Sequence, residues 1–234
     1  MLNMILTVAV VSAALIAGAA WGLYGRLPKQ LEGFLIALAG GALVVSVTIE
    51  MIQPASQHLP LWGLAAATLA GALVFTGADA ALNRMTDDSE GAGLLLAITF
   101  DGVPENLALG VALIGASIPE VAALAGSILL SNLPEAAGGA RQMARGGRSR
   151  GRVFLMWSAT AALLAACAVI GNLALQEAAP GTLAAIRCVA AGAVTASLAT
   201  EVFPQAFADE KYGTGIAVVL GLIVAFALSS LSSG

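Results

Sequence analysis

Asp101 and Glu105 stand four residues apart in the apolar run TFDGVPENLALGVALIG (99–115), with Pro104 beside the glutamate. Residues i and i+4 share a face of a helix, so the two carboxylates would stack. The run SNLPEAAGGA (131–140) repeats the pattern: Ser131 and Glu135 are four apart, and Pro134 precedes the glutamate. Proline has no N–H, so the carbonyls of Phe100 and Leu130 would lose their helical partners. In hydrocarbon a freed carbonyl needs a donor, a water or a cation. A carboxylate near a bilayer centre costs about 2.5 kcal/mol or more. Five lie inside apolar runs, namely Glu50, Asp101, Glu105, Glu135 and Glu201, with no Lys or Arg deep enough to pair with them. The remaining chemistries are protonation and a bound divalent cation held by oxygen ligands. Protonated acids bonded within a helical bundle are the plainer alternative, stronger for Glu50 and Glu201, which sit nearer the ends of their runs.

The elements that would carry these residues are membrane helices. The 234 residues are 59% hydrophobic and only 10% charged, with a mean hydropathy of +0.92. Soluble domains run near a quarter charged. Apolar runs starting near Met4, Gly33, Leu61, Gly93, Val121, Val153, Thr182 and Gly215 predict eight transmembrane helices, one membrane domain over 1–234 and an all-α fold. The first run has no basic residues before it, so it reads as a span and not as a signal peptide. Cys167 and Cys188 form no CxxC and lie in apolar runs, where packing is their simplest role.

Lys and Arg set the orientation. Arg26, Lys29, Arg84, the five arginines Arg141, Arg145, Arg148, Arg150 and Arg152, and Lys211 follow odd-numbered spans; Arg187 alone falls on the other side. Nine to one, this places both termini outside the cytoplasm. The compact chain suits a bacterial inner membrane. The arginine cluster is topology information, and nucleic acid is not an expected partner.

Two pairs of segments echo each other. GALVVSVTIEMIQPA in span two and GAVTASLATEVFPQA in span seven each place a serine (Ser46, Ser197) and then a glutamate nine residues after the glycine (Glu50, Glu201), and a proline follows. DGVPENLALG in span four echoes SNLPEAAGGA in span five. Each pair would run in opposite directions, as in the inverted repeats of many secondary transporters.

With eight spans and both ends outside, DGVPENLALG and SNLPEAAGG resemble the ZIP (Zrt-, Irt-like) divalent metal transporters. The specific part of the likeness covers about twenty residues. The family's fourth helix carries an HNxPEG-type motif and its fifth an H-x-x-P-E-type motif, which line a central metal site. Asp101 falls where the motif histidine stands and Gly102 where its asparagine stands. Pro104 and Glu105 match, and Asn106 replaces the motif glycine. Ser131 takes the second histidine's place, while Asn132, Pro134 and Glu135 fit. No histidine remains in the site, the His-rich loop is absent, and span six offers no carboxylate for a second ion. The resemblance implies a 3+2+3 inverted-repeat arrangement and one metal site of Asp101, Glu105 and Glu135, assisted by Ser131 or Asn132. Glu50, Asn106 and Glu201 would line the pathway. An all-oxygen set leans from zinc toward manganese, iron(II) or magnesium.

The expected function is transport of a divalent cation (zinc, manganese, iron or similar) toward the cytoplasm, with the metal as cargo and no cofactor. Two rivals stay open: a cation-coupled carrier of a small organic solute, and a ZIP-like membrane protein that does not transport. An enzyme is not expected, since HExxH and any Ser/His pattern are missing. The bilayer and the metal ion are the expected partners, and a homodimer is left open. His58 and Asp79 read as loop and helix-end residues, while Asn172 and Arg187 have no sequence-level explanation.

Overall fold

The computed structural model describes residues 2–25, 28–85, 102–103, 106–107, 109–111, 113–114 and 118–232. Among them the chain is helical and has no strand. The helices are α1 (Leu2–Tyr24), α2 (Lys29–Ala55), α3 (Leu61–Met85), α4 (Ile118–Arg145), α5 (Arg150–Leu175), α6 (Pro180–Asp209) and α7 (Thr214–Ser232). Between α3 and α4, residues 102–103, 106–107 and 109–111 are helical and 113–114 form a turn; the other residues of the expected fourth span lie outside the described residues. Among the described residues five helices are long and apolar enough to cross a membrane, over Met4–Tyr24, Lys29–Ala55, Leu61–Ala81, Arg150–Leu175 and Pro180–Asp209. Thr214–Ala227 is apolar but shorter. The molecule is therefore an all-α protein with several helices of membrane-spanning length.

Helix starts fall within a few residues of the hydropathy breaks, but two helices run on where a break was expected. The sequence around Pro54 and Pro204 reads as loop, yet α2 continues to Ala55 and α6 to Asp209. The reason is a change of helix type. Ser46–Ile52 and Leu198–Val202 are π-helical, and the residue before each proline, Gln53 or Phe203, donates its N–H five residues back, to Thr48 or Leu198. The wider turn lets each helix meet a proline without ending. Likewise α4 passes through Pro134 unbroken, and only four residues, 146–149, separate α4 from α5. The arginine cluster therefore sits mostly on helix ends.

α4 occupies the middle of the bundle, against α1, α2, α5 and α7. Its run Ala136, Ala137, Gly138, Gly139, Ala140 is fully buried, because small residues let neighbouring backbones close in. A Cβ on Gly18 or Gly22 of α1 would lie 2.2 Å from the Leu133 carbonyl oxygen or 2.0 Å from that of Ala137. Around this contact Leu15, Ala19 and Leu23 pack with Met143, Val153, Trp157 and Leu164.

One crossing occurs twice. α2 meets α7 where Gly41 faces the Val218 carbonyl and Gly221 faces that of Leu38; α6 meets α3 where Gly192 faces Thr68 and Gly71 faces Val189. The four equivalences are separated by 192−41 = 151, 189−38 = 151, 221−71 = 150 and 218−68 = 150 residues. Ser46 and Glu50 map onto Ser197 and Glu201 with the same 151-residue offset, and both glutamates sit in the π-helical stretches.

Large apolar side chains cover the outside of α3 and α7, among them Leu61, Trp62, Leu69, Leu73, Ile216, Val219, Ile223 and Phe226. Such a surface needs an apolar surrounding.

Candidate functional site

The site builds from α4 and the helical pieces between Gly102 and Val111. Gly102 packs against α5, where a Cβ would stand 2.6 Å from a methyl of Leu164. Asn106 is buried, and its Nδ2 donates to the Gly102 carbonyl at 2.9 Å, so its amide nitrogen is tied to its own helix. On α4, Asn132 is 3% exposed and Glu135 half-buried, with the buried Pro134 between them. Asn132 Nδ2 meets no acceptor among the described residues. A buried amide in that position carries a desolvation cost that a further group at the site would relieve.

Of the expected metal ligands, Asn132 and Glu135 share α4 and lie in the bundle's middle. Ser131 lies on α4, and its side chain is outside the described set. Asp101 and Glu105 are also outside the described residues. Among the described residues no three of His, Cys, Asp and Glu stand close enough to share a cation. A three-carboxylate centre would need Asp101 and Glu105 beside Glu135.

The pathway residues Glu50 and Glu201 are half-buried. The Ser46 hydroxyl donates to Glu50 Oε2 across one turn. Its counterpart Ser197 is buried, and Ser197 Oγ has no hydrogen-bond partner among the described residues. The two equivalent pairs therefore differ in state.

Three features were invisible or unexplained in the sequence. Glu32 in the first turn of α2 looks like an ordinary complement to a helix N-terminus, yet it is buried, with its carboxylate laid on Gly138 of α4. The charges of Asp209, Arg141, Arg145 and Lys29 act on it, and Lys29 Nζ lies 4.0 Å from Asp209 Oδ1. Asn172 and Arg187 bond the backbone of the 102–111 segment, at Gly110 and Val111. Only their polarity inside apolar runs hinted at a task. His58 and Arg187 line a cleft of ≈ 160 Å³ where the end of α2 meets the start of α6.

Compared with known families and with curated proteins, the sequence matches no family model and no curated protein.

Proposed function

We propose that this chain is a ZIP-like membrane transporter that moves a divalent metal cation toward the cytoplasm through a central carboxylate site. In this reading the protein has eight spans in a 3+2+3 arrangement, resides in the inner membrane and keeps both termini extracytoplasmic. Asp101, Glu105 and Glu135 bind the ion, helped by Ser131 and Asn132. Glu50 receives it outside, Asn106 lines its route and Glu201 meets it inside.

The observation that carries this reading is the recurrence of one construction at an offset of 150 to 151 residues. A glycine crossing and a π-helical glutamate occur in α2 with α7, and again in α6 with α3. Spans two and seven lie five apart, so in an eight-span chain they run in opposite directions. Paired inverted halves around a midplane site are the architecture of alternating access. π-helical turns concentrate at functional positions. The carboxylates inside apolar runs supply the cargo chemistry, and their oxygen ligands favour manganese or iron(II) over zinc.

Thermal stability of the purified protein across manganese, iron(II), zinc, cadmium and magnesium tests the site, with Asp101→Ala/Glu105→Ala as the comparison. One ion should raise the midpoint in wild type and fail in the variant. Uptake into proteoliposomes tests transport: Glu105→Ala and Glu135→Ala should each abolish it. Unchanged uptake in both variants ends this reading.

A further inference from the structure

The helical stretch 109–111 leads into a turn at 113–114, so its carbonyls need partners. The last carbonyls of a helix have no N–H partner within it, and hydrocarbon offers no water as a substitute. Here the chain tightens: Leu113 N–H donates to the Leu109 carbonyl at 3.0 Å, and Ile114 N–H to that of Val111 at 3.1 Å. The Ile114 donor is thereby drawn away from Gly110, its partner in a regular α-helix. Two distant side chains complete the account. Asn172 Nδ2, from α5, donates to the Gly110 carbonyl at 2.9 Å, and Arg187, from α6, donates to that of Val111 at 3.2 Å. Gln176 Nε2 donates to Asn172 Oδ1 at 3.1 Å, which fixes the amide with its nitrogen toward Gly110. Asn172 is 5% exposed, so this bond is shielded.

Packing reinforces the same contact. A Cβ on Gly110 would stand 2.1 Å from the Ala168 carbonyl oxygen, and one on Gly171 would stand 2.7 Å from that of Leu107. The segment and α5 touch backbone to backbone, leaving the two polar bridges to set rotation and depth. A guanidinium at a helix C-terminus also opposes the negative end of the helix dipole.

We propose that Asn172 and Arg187 are positioning residues that fix the register of the helical stretch around Asn106 and Val111, which follows Asp101 and Glu105 in the sequence, against α5 and α6. The proposal rests on the metal-transport reading for its functional consequence. Residues that hold metal ligands through a second layer typically change metal affinity by about 10- to 100-fold when removed. That is the scale of effect assigned here.

The test uses full-length protein in detergent, with manganese chloride as the probe and hydrogen exchange of the 106–114 peptide as a second readout. Arg187→Met and Asn172→Asp each remove a donor while keeping most of the side chain's shape; Arg187→Lys keeps a donor. The expected result is about tenfold weaker manganese binding in folded Arg187→Met and Asn172→Asp, faster exchange confined to 106–114, and recovery of most of the affinity in Arg187→Lys. Folded variants that lose stability but bind manganese as wild type does overturn the proposal, because the residues would then be structural only. If wild type binds no ion in the metal panel, the transport reading fails by itself. The exchange data then decide: unchanged protection at 106–114 overturns the positioning role, and lost protection sustains it as a brace of this helix.

Discussion

Ser46 and Ser197 occupy equivalent places in the two halves of the molecule, yet one hydroxyl is used and the other is not. Ser46 donates to Glu50, whereas Ser197 Oγ is buried without a partner among the described residues. A hydrogen bond to a carboxyl group is worth about 1 to 3 kcal/mol, and a buried unsatisfied hydroxyl is a liability of similar size. Ser46→Ala should therefore lower stability by about 1 to 2 kcal/mol, while Ser197→Ala should leave it unchanged or raise it. Thermal unfolding of both variants in detergent without metal checks this, and equal losses would contradict the asymmetry. Asn132 offers a second case. Its Nδ2 has no acceptor among the described residues, so Asn132→Leu should keep or raise the metal-free midpoint while abolishing any rise on adding manganese. A variant that still gains stability from the ion would remove Asn132 from the site.

At the scale of elements, glycine decides which helices touch. Gly41 and Gly192 leave no room for a methyl: a Cβ would stand 2.0 Å from the Val218 carbonyl oxygen or 1.9 Å from that of Thr68. Gly77, on α3, has nothing within 4 Å. Gly41→Ala and Gly192→Ala should each cost at least about 1 to 3 kcal/mol as the helices separate. Gly77→Ala should gain up to about 1 kcal/mol from helix propensity alone. Melting curves of the three variants give opposite signs if the crossings are as described. The same scale shows what the sequence could disclose. Hydropathy located the described helices, because an apolar run of about 20 residues has few other uses. Proline was misread at positions 54 and 204, since a π-helical turn depends on backbone hydrogen-bond choice, which composition does not encode. The spacing of Ser131, Pro134 and Glu135 pointed to α4, which proves to be central. The roles of Asn172 and Arg187 depend on partners 62 and 76 residues away, and Glu32 is buried by Gly138 of another helix. No local pattern carries such pairings.

For the whole molecule, the count of crossings is the property on which the transport reading depends. Gln57 lies in the exposed turn between α2 and α3, and Ser149 in the exposed turn between α4 and α5. Between these two positions run α3, the segment containing 102–114, and α4. If all three cross the bilayer, the two turns face opposite sides; if the middle segment does not cross, they face the same side. In the proposed eight-span orientation the arginines around Ser149 are cytoplasmic, as the positive-inside rule expects, and Gln57 is outside. After Cys167 and Cys188 are replaced by alanine, a membrane-impermeant thiol reagent should label Gln57→Cys in intact cells. It should label Ser149→Cys only in inside-out vesicles. Labelling of both from one side would leave seven crossings and contradict the antiparallel packing of α2 on α6, in which Gly33 meets Asp209 and Ala55 packs with Ala184 and Cys188. The repeat at 150 to 151 residues would then lose its inverted relation, and with it the basis for alternating access. Opposite labelling gives the segment between α3 and α4 its crossing, the condition under which the proposed carboxylate site lies within the bilayer.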